Sequence, residues 1–249
     1  MANEVTVKQT NEVAFPADLM NSFEYDAVEA TDLKVPKLLL MQAMSKYVNE
    51  EGTAKAGDMV NSLNGKVLGC VREKGYTPVQ FIPFKMTKTW TIQEYDEKTK
   101  KFVYKETVPV TPENTDWEWL DGTVKRTKCL NIYCILTSQV GDPVAVPYVI
   151  TFRNTSFRAG DLVANHFAIC RQAAQAKINR FPADTIFELG GKVQSNDDGT
   201  WYVLTTKEVG PATTDAVLQA AQWAKNLRTM KHIVDESDMA EAPATAKDV

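Results

Sequence analysis

The sequence predicts a mainly β protein with helices, an OB-fold-like five-stranded Greek-key barrel carrying a long insertion between its first two strands and a helix after its last. Three observations predict it. Strand signals dominate residues 76–152, where period-2 and all-apolar runs alternate with turn dipeptides. A helical period then takes over from Ser156 to about Asn179, rich in alanine and free of proline. Two further strands follow around Asp197-Asp198-Gly199. The order β-β-β-α-β-β is that of the OB-fold. An up-and-down barrel or a mixed α+β sandwich gives similar local signals.

The elements follow in order. Met59–Val71 reads as a hairpin around Asn64-Gly65. Tyr76–Thr89 is a β-rich run with prolines at 78 and 83, which suits an edge or bulged strand. Phe102–Val110 is a shorter strand, and Cys129–Ser138, apolar on both faces, is central. Gly141-Asp142-Pro143 is a turn leading to Val144–Phe152. After the helix, with Thr155 or Ser156 as N-cap, come strands over Thr185–Gln194 and Thr200–Val209. A last helix spans about Thr213 to Thr229, with Val217, Leu218, Ala221, Ala224 and Leu227 on one side.

Composition bounds the function. The 249 residues are 44% apolar and 24% charged, ordinary globular values. No run approaches the roughly 18 apolar residues of a membrane helix, and the polar, acidic N-terminus resembles no signal peptide. The expected location is cytoplasmic, with no membrane partner. Charge is unevenly placed. Residues 1–32, an acidic N-terminal extension, hold seven acids and one base; residues 232–249, a tail expected to be disordered, hold five acids and one base. The body, 33–231, carries a net charge of +6 and reads as one OB-like nucleic-acid-binding domain. A basic body is the electrostatic footprint of a polyanion binder; acidic tails are also common simply because they are solvated.

Enzyme signatures are absent from the sequence. There is no phosphate-binding G-x-x-x-x-G-K-[ST], Gly190-Gly191-Lys192 being a turn-like doublet without the rest, and there is no G-x-S-x-G or H-E-x-x-H. Asp96-Glu97-Lys98 is the nearest approach to a nuclease cluster and reads as solvated. Cys70, Cys129, Cys134 and Cys170 lack zinc-ribbon spacing and read as reduced, mostly buried thiols. Only His166 and His232 are present, and His166 with Cys170, four apart on one helix face, makes a constrained pair. The expectation is a protein with no catalytic residue, no metal site and no cofactor.

The insertion between the first two barrel strands, residues 90–127, is the most informative stretch. Trp90, Tyr95, Phe102, Tyr104, Trp117 and Trp119 are interleaved with Lys98, Lys100, Lys101, Lys105, Lys125, Arg126 and Lys128. Single strands are held by cations that track phosphates and aromatic faces that stack bases, at roughly 1–3 kcal/mol per base. A satellite core under the loop is the competing reading for any one aromatic. Glu113, Asp116, Glu118 and Asp121 oppose phosphate locally. The second signal is Phe152–Gly160, where Arg153 and Arg158 flank the start of the helix in an anion-friendly corner, with Lys85 and Lys88 on the first strand able to face the same groove. The candidate nucleic-acid-binding set is Lys85, Lys88, Trp90, Tyr95, Tyr104, Trp117, Trp119, Lys125, Arg126, Lys128, Tyr133, Arg153 and Arg158.

Several blocks resemble a recurring phage protein type. Val35-Pro36-Lys37-Leu38-Leu39-Leu40-Met41-Gln42 leads to Ala54–Ser62 and then Gly65-Lys66-Val67-Leu68, as in "I-P-x-L-x-L-x-Q" followed by "K-x-G-D-x-x-N-x-x-x-G". Val79–Lys85 with Trp90 is similar to its next block, and Phe152–Gly160 with Leu162 to its "F-x-x-x-S-x-x-A-G-x-x-L". Together they cover most of residues 35–165. The resemblance is to tailed-phage single-stranded DNA-binding proteins of replication and recombination modules. It implies an OB-fold, sequence-tolerant binding of single-stranded DNA in the host cytoplasm, and recruitment of replication or recombination proteins by an acidic C-terminal tail. Here that tail ends in Ala246-Lys247-Asp248-Val249 rather than in an aromatic. Oligomeric state stays open. The alternative reading is a protein-interaction or virion-associated module without nucleic-acid binding; a third is an enzyme of DNA metabolism whose carboxylates meet only in the fold.

Overall fold

The computed structural model describes residues 33–197, 199–229 and 233–234. The acidic N-terminal extension and nearly all of the C-terminal tail lie outside the described residues. Five strands make the barrel wall: β5 (Val79–Asp96), β8 (Val124–Leu136), β9 (Tyr148–Arg153), β10 (Thr185–Asn196) and β11 (Gly199–Pro211). Their order across the sheet, β9-β8-β5-β10-β11, is antiparallel throughout and matches the predicted Greek-key path. Alternation fills the inside: Leu130, Ile132 and Cys134 of β8, Ile150 and Phe152 of β9, and Phe187 and Leu189 of β10 share one buried cluster. Helix α2 (Phe157–Gln175) adds Val163 to that cluster.

The expected elements are present with shifted ends. The hairpin around Gly65 (φ 67°) is β3 (Asp58–Asn61) and β4 (Val67–Cys70), joined by β2 (Leu38–Leu40) in a small second sheet. A one-turn helix α1 (Lys46–Asn49) lies between β2 and β3. The last helix is α3 (Thr214–Thr229), whose Ala216, Ala220 and Leu227 bury the outer-face residues Ile82, Phe84, Tyr133, Ile135 and Val149. Gly190-Gly191 is not a turn; it lies inside β10, where a Cβ on Gly191 would sit 2.8 Å from Val71 Cγ1. Ile233–Val234, within the expected tail, forms strand β12, parallel to β1 (Lys34–Val35). All four cysteines are buried thiols outside any disulfide.

Among the described residues β9 and β11 do not pair. The segment Pro36–Gln42 fills the gap. Val149 N donates to Pro36 O at 2.9 Å, and Lys37 bridges Val149 in parallel. At the other end the Gln42 side-chain amide imitates a strand. Its Nε2 donates to Tyr202 O and its Oε1 accepts from Tyr202 N, both at 2.9 Å. Other residues of the recurring blocks serve the same seam. Ser62 Oγ accepts from Lys37 N, Asn61 Nδ2 donates to the Tyr148 hydroxyl at 3.1 Å, and Ser156 Oγ accepts from Leu204 N. Gly160 lies where a Cβ would come 2.6 Å from Leu130 Cδ2, which lets α2 press onto the barrel.

Candidate nucleic-acid interface

The insertion over 90–127 is mostly sheet, and the strand expected at Phe102–Val110 is present. Strand β5 continues to Asp96, β6 (Lys101–Pro109) returns against it, and β8 begins at Val124, so a three-stranded ribbon extends from the barrel. The short strand β7 (Leu120–Asp121) adds to its edge. What differs is that β5 and β8 run on into the insertion, and the cause is physical: β-branched and aromatic residues with period-2 spacing extend the pairing past the expected strand ends.

A ribbon has two faces, and register divides the candidate residues between them. Thr87 pairs with Asn131, Thr89 with Cys129 and Gln93 with Lys125, all opposite in direction to the core residues Ile132 and Leu130. This outer face also carries Lys85, Tyr133, Tyr95, Tyr104 and, through pairing with Cys129, Arg153. Lys125 Nζ lies 4.7 Å from the Trp119 ring centre and 5.7 Å from that of Phe102, which meets Tyr95 edge-on at 5.4 Å. Thr151 Oγ1 donates to Asn131 Oδ1, and Asn131 Nδ2 donates to Thr89 Oγ1. Thr91, Gln93, Thr127 and Cys129 form a buried floor.

The opposite face carries Lys88, Trp90, Arg126 and Lys128. Trp117 packs 6.2 Å from Trp90, with Arg126 stacked 4.9 Å over it and Lys128 5.3 Å over Trp90. Residues 111–117 cover this cluster: Trp90 Nε1 donates to Asn114 O at 3.0 Å, and Lys128 Nζ to Thr115 O at 3.4 Å.

Three of the expected stacking residues need correction: Trp117, packed between Trp90 and Arg126 on the covered face, and the buried Trp90 and Tyr133. Trp90 is only 5% exposed, its indole N–H satisfied by the loop above it, and it is a satellite-core residue. Tyr133 is 6% exposed, held under α3 on one side and by Lys85 Nζ 4.5 Å over its ring on the other. Burial lowers the Lys85 pKa, because the charged amine loses water. Trp119, 43% exposed, and Tyr95, 39% exposed, keep accessible faces. Arg158 is separate from both faces. It lines a cleft of about 520 Å³ with Asn154, Thr155, Lys192 and Gln194, between the start of α2 and the β10–β11 hairpin. Asn131 and Thr151 were missed from sequence; their strand parity with Tyr133 and Arg153 is the signal that finds them.

The fold and surface thus define a small barrel whose second and third strands display a polar, cationic outer face that runs onto an aromatic ribbon. Residues 8–233 match the family model described as Pam3 phage gp34-like protein. The chain belongs to that family and is a phage protein. No curated protein and no solved structure matches it. Among the described residues no helix is long and apolar enough to cross a membrane.

Proposed function

We propose that this phage protein binds single-stranded DNA without sequence preference and without catalysis, in replication or recombination. The observation that supports the reading best is the continuity of the outer face. Arg153, Asn131 and Lys85 on the barrel wall lead directly to Lys125, Tyr104, Tyr95 and Trp119 on the ribbon. OB-folds bind along their second and third strands and the adjoining 1–2 and 4–5 connections, and this surface occupies that place. The aromatics supply stacking faces and the cations phosphate contacts. Lys125 lies over Trp119 in the unbound chain, so a base would take its place on the ring while the amine moves to phosphate. The acidic tail, outside the described residues, would recruit replication or recombination partners.

The test is a tryptophan-fluorescence titration with oligo-dT at two salt concentrations, with duplex DNA as control. Quenching by the single strand alone, weakening steeply as salt rises, is the expected result, because each neutralised phosphate releases counterions. Absence of any change at low salt sinks the reading and leaves the aromatic ribbon as a contact for a protein partner.

A further inference from the structure

Away from the ribbon, three side chains of different chemistry converge at one imidazole nitrogen. His166 and Cys170 occupy successive turns of α2, and Asp184 lies just before β10. His166 Nε2 is 3.6 Å from Cys170 Sγ, 3.4 Å from Asp184 Oδ1 and 3.1 Å from the carbonyl oxygen of Pro182. Nε2 carries at most one hydrogen, so it can donate to only one of these three neighbours. We propose that His166, Cys170 and Asp184 bind a divalent transition-metal ion of the zinc class, which ties the middle of α2 to the segment entering β10.

The distances fit. Zinc bonds of about 2.3 Å to sulfur and about 2.0–2.2 Å to nitrogen and oxygen, set tetrahedrally, require N···S and N···O edges of about 3.5 and 3.4 Å. The ligating atoms of all three residues lie within 4.8 Å of one another, and among the described residues this is the one such group. A thiolate, an imidazole and a carboxylate form a donor set of intermediate softness, suited to zinc or cobalt over magnesium or calcium. His166 and Cys170 are 5% and 3% exposed, so neither side chain swings freely. The Phe187 ring meets the imidazole edge-on at 5.4 Å; Arg180 Nε lies 3.6 Å from Asp184 Oδ2, while Oδ1 faces the histidine and also accepts from Thr185 Oγ1 at 2.7 Å. The Pro182 carbonyl or a water supplies the fourth donor. On coordination the Cys170 thiol gives its proton to solvent, and the imidazole holds its one proton on Nδ1.

The experiment uses tag-free, full-length protein, stripped with chelator under reducing conditions and titrated with Co²⁺, then Zn²⁺. The expected result is saturation at one ion per chain, with the strong visible bands of a four-coordinate site and a thiolate-to-cobalt band that Zn²⁺ removes. Cys170→Ser loses the thiolate band, and Asp184→Asn loses the Zn²⁺-dependent rise in melting temperature. A wild-type titration with no saturable thiolate band overturns the proposal, as does a band that survives Cys170→Ser. Because the wild-type spectrum alone can overturn it, a misfolded variant does not shield it, and DNA binding has no bearing on either outcome.

Discussion

The barrel seam and the ribbon use the same residue classes for opposite ends. At the seam, Gln42, Asn61, Ser62 and Ser156 are polar, and each is spent on a named hydrogen bond: Gln42, Asn61 and Ser156 to barrel strands, and Ser62 to Lys37 N of the segment that fills the gap. On the outer face of the ribbon, Lys125 meets aromatic rings rather than a buried acceptor, and Trp119 remains 43% exposed. The difference teaches that the most recognisable motifs of this chain hold it closed, whereas the ribbon surface of Lys125, Tyr95, Tyr104 and Trp119 is assembled from residues outside those motifs. A buried polar group must be paired, which fixes its identity and spacing; a stacking face needs only an aromatic on the correct side of a strand.

Five substitutions would break or sharpen that contrast. The largest effect is expected at the seam. Gln42→Ala leaves the Tyr202 N–H and C=O without their partners and should lower stability by about 2–3 kcal/mol in urea unfolding, with the affinity of the folded fraction for oligo-dT unchanged. A change in affinity with intact stability would reverse the roles assigned to the two regions. Trp119→Ala should cost about 1–2 kcal/mol of binding, nearly independent of salt, as expected for the loss of one stacked base. The same substitution at Trp117, on the covered face, should cost stability instead. Arg153→Ala should flatten the dependence of log K on log salt by about 0.7, one phosphate contact to a single strand.

The smallest effect is expected at Lys85. Burial depresses its pKa, so at neutral pH the folded state carries the penalty of a partly dehydrated charge. That penalty is present below the depressed pKa and fades as pH rises through it towards the ordinary lysine range. Lys85→Met should therefore melt slightly above wild type at neutral pH, and the gap should close in alkaline buffer. A gap that widens with pH would mean that the amine stabilises the fold through Tyr133.

Much of this was legible in the chain. Period-2 runs located the barrel strands, Asn64-Gly65 located the hairpin, and the shift to a helical period after Ser156 located α2. Strand parity also separates Lys125 from Arg126 and Lys128, which a single aromatic-basic cluster had merged. The metal cluster was half visible: His166 and Cys170 stand four apart on a helix, but Asp184 becomes their neighbour only when the chain turns back through Pro182.

The sequence by itself determined the order of strands and helices, the basic body and the aromatic-rich insertion, because alternation, turn chemistry and charge are local properties. Only the tertiary structure decided that Pro36–Gln42 closes the barrel, that Trp90 is buried while Trp119 is not, and that Arg153 shares a face with Lys125. Each depends on contacts between residues far apart in the chain, such as Gln42 with Tyr202, whose register no local pattern encodes.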